Sequence, residues 1–550
     1  MIVDARSLPE NETIETDVCI VGAGTAGITL AREFIGQQFR VCLLESGGLK
    51  PDQETQALYW GENIGHPYFP LDTARARYFG GSSNRWHIAI GDNCLGARMR
   101  PLDEIDFEQR DWIPYSGWPF GKSHLDPFYK RAESICKIEP ATYDVADWED
   151  PEKRPRLPFI GDRVKTVIFK FGSRDPLIRD YPREVTHTAN ITTYLYANVV
   201  EIETDETAKI VTRLRVACLQ GNKSWVSAKL FILAAGGIEI PRLLLLSNKR
   251  QSSGLGNQND LVGRFFMEHL HCWSGYYVPS NSEMFKFTAL YNDMHAVNKV
   301  PIIGKLALSE DVLRREKLLN YSVQLLPRVM LKTSLYPVFY RSTPSKGVAS
   351  CKRLLSAICR GDIPDDFGEH VRNVISGIND IAMAPYRRFK RKVIKSFNRK
   401  RVNVFRLAHM TEQAPNPNSQ VTLGQERDRL EQRRIKLDWR LSPVDMLSAI
   451  RAQEIIGEEL HRAGIGRLFI EMKDATPPRH LNGGWHHMGT TRMHIDPRKG
   501  VVDQNCRVHG ISNLFVAGPS VFPTCGYANP SLTIVALAVR LADHVKNLMV

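Results

Sequence analysis

The stretch DVCIVGAGTAGITLAREF, residues 17–34, limits the fold more than any other part of the chain. An apolar, strand-like run ends in GxGxxG, and the glycines open onto a helix-like pattern of Ile28, Leu30, Ala31 and Phe34. Gly22 permits the tight turn, Gly24 lets backbone approach a pyrophosphate, and Gly27 lets the helix pack on the strand. Thr25 and Ala26 sit at the helix start, where free N–H groups and the positive dipole end face phosphate. A second apolar run, RVCLLES, ends at Glu45, 18 residues after Gly27, where an acid takes a ribose 2′-hydroxyl. Strand, glycines, helix, strand and acid stand in register. This predicts a Rossmann-like α/β dinucleotide domain. The spacing leaves FAD and NAD both open.

The chain has 550 residues, 43% hydrophobic and 24% charged, enough for a large core and more than one domain. That composition excludes a disordered or fibrous chain. Net charge is +13, and much of the excess lies in YRRFKRKVIKSFNRKR, residues 386–401. This run reads as a solvated helix face; Phe389, Val393, Ile394 and Phe397 at helical spacing leave peripheral contact with an anionic membrane as the alternative. No nucleic-acid module accompanies it, so nucleic acid is not an expected partner. Ten cysteines are scattered without a CxxC pair and read as reduced thiols. No apolar run approaches the roughly 20 residues that span a bilayer. With a polar N-terminus, the expected location is cytoplasmic.

Three further segments stand out. RYFGGSSNRWH, residues 77–87, is a glycine-serine loop ending in an aromatic. AKLFILAAGGIEIPRLLLLS, residues 228–247, and NLFVAGPSVFPTCGYANPSLT, residues 513–533, each run from strand through small-residue turn to helix. Together with the first motif, in this order, they resemble the glucose–methanol–choline (GMC) oxidoreductases, FAD-dependent alcohol and sugar oxidases and dehydrogenases. HHMGTTRM and GYANPSLT place the resemblance nearest the pyranose-oxidase-like and fructose-dehydrogenase-like branch.

The resemblance implies an FAD domain assembled from residues 10–110, 185–270 and 485–550, with the first-motif, FILAAGG and NLFVAGPS strands in one sheet. A second domain built on an antiparallel sheet, residues 111–184 and 271–484, would roof the flavin. AHMTEQAPNPNSQVTLG and RRIKLDWRLS are expected in that second sheet, with PNPNS as the turn. It also implies that Gly80, Gly81, Ser82, Asn84 and Trp86 lie along the cofactor, that Val200 meets the adenine, and that Ala235, Gly236, Gly518, Pro530 and Ser531 complete its cradle. Relatives joined covalently to FAD carry a histidine where this chain has Arg85, so non-covalent FAD is expected. His87 is near but out of register.

Oxidising an alcohol takes a proton from oxygen and a hydride from the adjacent carbon, so a base must stand beside the hydride acceptor. Histidine suits that task near neutrality. GGWHHMGTTRM offers two, and alternation along an extended chain would turn only one toward the flavin. The family pattern of Gly489, Thr490 and Met493 picks His486; His487 reads as a packing neighbour. Asn529 takes the family's partner position. It also precedes Pro530 and an apolar helical repeat, so N-capping is a second role. His269 and His271, in GRFFMEHLH, read as structural. No metal site is expected.

The function these readings imply is oxidation of a primary or secondary hydroxyl of a sugar, glycoside or other alcohol, with oxygen or a quinone or other carrier as acceptor. The alternatives are a flavin-containing lyase or other non-redox enzyme on the same fold, a sterol or natural-product alcohol dehydrogenase, and a basic binding protein with a vestigial site.

Overall fold

The computed structural model describes residues 1–91, 94–140, 142–328, 404–478 and 480–549, with the isolated positions 354 and 374. The basic run at 386–401 lies outside the described residues.

Six strands form a parallel sheet in the order Ile2–Asp4, Ile191–Leu195, Val41–Leu44, Val18–Val21, Leu230–Leu233, Leu514–Val516. Val18–Val21 and Val41–Leu44 are apolar and buried at every position. Such runs belong in a parallel sheet covered on both faces. The first-motif, FILAAGG and NLFVAGPS strands are neighbours in it, as the resemblance implied. The helices Thr25–Glu33 and Ser531–Leu548 pack against each other beside this sheet and share one core with it.

A nine-stranded antiparallel sheet forms the other layer. Its strands include Ile88–Gly91, Cys94–Met99, Val164–Ser173, Leu270–Pro279, Val300–Leu308, Tyr321–Arg328 and Val404–Thr411. Ile88–Gly91 and Cys94–Met99 thus pair within this sheet, ahead of position 110, while Ile2–Asp4 pairs in the parallel sheet ahead of position 10. Tyr321–Arg328 and Val404–Thr411 pair along their whole lengths, from Tyr321↔Thr411 to Arg328↔Val404. Phe169, Ile303, Ala307 and Met410 cluster with Tyr527, which seats the sheet on the segment that carries Asn529.

Only the first half of AHMTEQAPNPNSQVTLG joins this sheet. Gln420–Arg427 and Arg433–Asp438 form a separate three-stranded sheet with Glu62–Asn63. The PNPNS segment redirects the chain rather than closing a hairpin. The Ser419 hydroxyl donates to the Phe266 carbonyl (2.7 Å), and the Val421 N–H donates to the Gly263 carbonyl (2.8 Å). Those bonds commit the chain to a new partner before pairing resumes. No helix among the described residues is long and apolar enough to cross a membrane.

Candidate active site

One cavity of about 620 Å³ runs along the carboxyl ends of the parallel strands and under the antiparallel sheet. Its size lies within the range of ligand pockets. At one end are Gly22, Gly24, Thr25 and Ala26. Gly22 has φ +106°, and a Cβ on Gly27 would lie 1.9 Å from the Gly22 carbonyl oxygen. Gly27 therefore serves packing beneath the turn and is not on the cavity wall. Cβ positions at Gly24 and Gly236 meet open space instead, the cradle a pyrophosphate needs. The first turn of the helix Thr25–Glu33 has no side-chain cap, so its N–H groups stay available to an anion.

Glu45 stands on the same wall and accepts N–H bonds from Ala23 and Gly47, both 2.9 Å. Burial raises its pKa above the ordinary value despite those bonds. Nearby, Arg75 and Arg77 grip Glu239 at 2.7 and 3.3 Å, and all three line the cavity. No sequence pattern marks this trio, whose members come from two segments far apart in the chain.

Gly81, Ser82, Trp86, Ala235, Gly236, Gly518, Pro530 and Ser531 line the cavity between its two ends. Three expected positions do not. Gly80 turns the chain at φ +91°, behind the wall. Asn84 braces that turn, donating to the carbonyls of Phe79 (2.9 Å) and Gly81 (3.0 Å). Val200 is buried away from the cavity and Val199 takes its place; the strand Asn198–Thr204 carries a register shift between Val199 and Glu201.

The other end holds the histidines. Trp485 has φ +62°, so the chain there is not a regular extended strand. Residues 486 and 487 both line the cavity, yet their rings have different partners. His486 Nε2 lies 3.2 Å from Asn529 Nδ2, and its Nδ1 lies 2.8 Å from His269 Nδ1. His487 stacks on Phe266 and meets the Tyr68 hydroxyl at 2.9 Å. Asn529 does not cap the last helix. The helix starts one residue later than expected, at Ser531 with Pro530 as its cap residue, and the Asn529 side chain turns to His486.

Two neighbours of this loop went unread in the sequence. Glu268 accepts N–H bonds from Gly484 (2.9 Å) and His486 (2.9 and 3.0 Å) and a hydrogen bond from the Tyr68 hydroxyl, which clamps the backbone that presents His486. Burial lifts its pKa to about 7, against those bonds. His269, His271 and Trp273 follow one another at a spacing of two, into and along the strand Leu270–Pro279. Such spacing puts side chains on one face. The rings of His269 and His271 lie 4.9 and 6.0 Å from that of His486, and His271 and Trp273 line the cavity. That alternation was visible in MEHLH. Burial lowers His269 to about 4 and His271 and His487 to about 3, and it holds His486 well below its ordinary value of 6.5. All four rings are therefore neutral at neutral pH, the state in which an imidazole accepts a proton.

Three polar groups at this end have no partner: Asn529 Oδ1, His271 Nε2 and Arg98 Nε. Trp273 and Trp485 are 40% and 36% exposed there. Unpaired polar groups beside bare aromatic faces suit a hydroxyl-rich ligand with apolar C–H faces.

A GMC oxidoreductase family model matches residues 415–538. The fructose dehydrogenase large subunit of Gluconobacter japonicus is 23% identical over 98% of this chain and 99% of its own length. The 2-methyl-1,2-propanediol dehydrogenase of Mycolicibacterium austroafricanum is 25% identical over 96% of this chain and 95% of its own. Among solved structures, pyridoxine 4-oxidase from Mesorbium loti superposes with a TM-score of 0.52 at 18% identity, over 96% of this chain and 99% of that one. The match to the GMC oxidoreductase model thus lies in the C-terminal part of the chain, and the likeness to the two dehydrogenases runs along nearly all of it. The chain is an enzyme similar to flavoprotein oxidases and dehydrogenases of alcohols and sugars.

Proposed function

We propose that this enzyme oxidises a hydroxyl-bearing carbon of a sugar, glycoside or related polyol, with His486 as the base, Asn529 as its partner and FAD held without a covalent link. The observation that carries the reading is the 3.2 Å approach of Asn529 Nδ2 to His486 Nε2, in the cavity whose other end is the glycine-lined nucleotide cradle.

The residues present fit FAD. Gly22, Gly24, Thr25 and Ala26 would hold the pyrophosphate, Glu45 the ribose, and Trp86, Gly236, Gly518 and Pro530 the length between there and the histidines. When bound, FAD supplies the hydride acceptor that alcohol oxidation needs. Neutral His486 takes the hydroxyl proton at Nε2, and the Asn529 amide donates to the substrate oxygen without competing for that proton. The two named relatives act on a sugar and a diol, which agrees with the unpaired polar groups and bare tryptophans around His486. Arg85, on the cavity wall where covalently linked relatives carry histidine, supports a dissociable cofactor.

The test is anaerobic flavin reduction by a panel of sugars, glycosides and simple alcohols, followed by re-oxidation with air or a quinone. Bleaching by polyols above simple alcohols is expected, with flavin released on acid precipitation. A flavin that no alcohol reduces would overturn the redox reading, and flavin retained by the precipitate would overturn the non-covalent one.

A further inference from the structure

His269 is wholly buried, and nothing in the chemistry above uses it. Its ring is nevertheless held at both nitrogens. Nε2 lies 3.2 Å from the Cys525 carbonyl, and Nδ1 lies 2.8 Å from His486 Nδ1. A carbonyl oxygen only accepts hydrogen bonds, so Nε2 of His269 carries the proton. In a neutral imidazole the other nitrogen is then a lone pair. His269 Nδ1 can only accept, and the group facing it must donate. His486 Nδ1 therefore bears the proton, and the lone pair of His486 lies on Nε2, the nitrogen beside Asn529.

We propose that His269 is a positioning residue: it passes the polarity of the Cys525 carbonyl to His486 and fixes the tautomer that leaves Nε2 free to take the substrate proton. The inference rests on the reading of His486 as the base. In the proton step the substrate O–H bond breaks, its electron pair stays on oxygen, and the proton forms a bond to Nε2. The imidazolium so formed keeps its Nδ1–H on His269, where the bond becomes charge-assisted and stronger. Without an acceptor opposite Nδ1, the ring divides between two tautomers, and one of them places a proton where the base must be empty. Main-chain placement of His486 is separately secured by Glu268, so the tautomer is what His269 adds.

The measurement is the ¹⁵N spectrum of the FAD-loaded enzyme labelled at histidine, with the His486 signals assigned by their loss in His486→Ala. A protonated Nδ1 and an unprotonated Nε2 are expected. A protonated Nε2 overturns the proposal whatever the activity, and leaves the base reading to be judged by His486→Ala alone. His269→Phe should slow anaerobic flavin reduction about 10²-fold at saturating substrate with KM little changed, the size seen when a residue that orients an active group is lost. His269→Asn keeps an acceptor opposite Nδ1 and should recover about 10-fold of that. Reduction at the unmodified rate in His269→Phe, or no recovery in His269→Asn, would refute it. Should His269→Phe fail to fold, the spectrum of the unaltered enzyme and the Asn variant still decide.

Discussion

The two ends of the cavity are made in opposite ways. The nucleotide end comes mainly from one contiguous strand–turn–helix, with Glu45 from the next strand, and it works through backbone: a left-handed Gly22, an absent Cβ at Gly27, free N–H groups. The end that holds the histidines gathers side chains from residues 68, 98, 268–273, 485–487 and 529, and it presents ring nitrogens and an amide. Backbone sites tolerate almost no added volume at their tight glycines but care little for side-chain chemistry. A site of converging side chains can lose one group and keep its shape. Damage at the first end should remove the cofactor, and damage at the second should leave it bound and idle.

The largest effect is expected at Gly27→Val, because even a Cβ there would overlap the Gly22 carbonyl. The purified protein should carry no flavin absorbance and melt lower than the unaltered enzyme; a yellow Gly27→Val protein would break the comparison. Next comes His486→Ala. Flavin should remain bound while its anaerobic reduction slows by about 10²–10⁴-fold, the worth of a general base. Asn529→Ala should cost less, and the double variant less than the product of the two, since both groups act on one hydroxyl. Stopped-flow bleaching, with bound flavin checked by absorbance, measures all three.

A smaller effect concerns pH. Burial lowers His486 well below its ordinary value of 6.5, so with its neutral ring as the proposed base the active form persists as pH falls. The acid limb of flavin reduction should therefore begin clearly below pH 6.5; a limb centred there would mean a solvated base. Stability has its own sign. His269, His271 and His487 have folded-state pKa values of about 4, 3 and 3, below the unfolded 6.5, so the folded state resists their protonation. Their contribution is complete above pH 6.5 and is lost as pH falls toward 3. Glu268, raised to about 7, acts in the opposite sense between pH 4.5 and 7. Melting temperature against pH should fall less steeply on acidification for His487→Phe than for the unaltered enzyme. The smallest kinetic effect belongs to His487→Ala, whose ring meets Tyr68 and Phe266 rather than Asn529. If that variant is the crippled one, the roles of the two histidines are exchanged.

What was legible in the sequence follows the same division. Residues 17–45 declared strand, turn, helix and acid because each is a local pattern, and the parallel sheet contains them. His486 and Asn529 were readable only through resemblance, and the structure brings them to hydrogen-bond distance. Glu268 carries no signal and His269 reads only as structural, because a buried histidine and glutamate announce no partner in sequence. Their partners are separated from them by more than 200 residues. Val199 rather than Val200 lines the cavity, since a bulge resets which residue of that strand faces inward. RRIKLDW was placed in the wrong sheet, because strand propensity does not say which edge a strand will find.

The pairing of Tyr321–Arg328 with Val404–Thr411 bears on how such an enzyme diversifies. Arg328 and Val404 lie opposite each other across the ladder, so the two ends that any connection must join are already neighbours. Whatever length evolution inserts there, the two strands meet in the same register, and each doubling of the connection adds only about 0.6 kcal/mol of closure entropy. The neighbouring strand, Leu270–Pro279, carries His271 and Trp273 into the cavity. The register that sets His271 against Met410 and Trp273 against Ala408 is thus fixed inside the ladder, away from the end at which the connection leaves it.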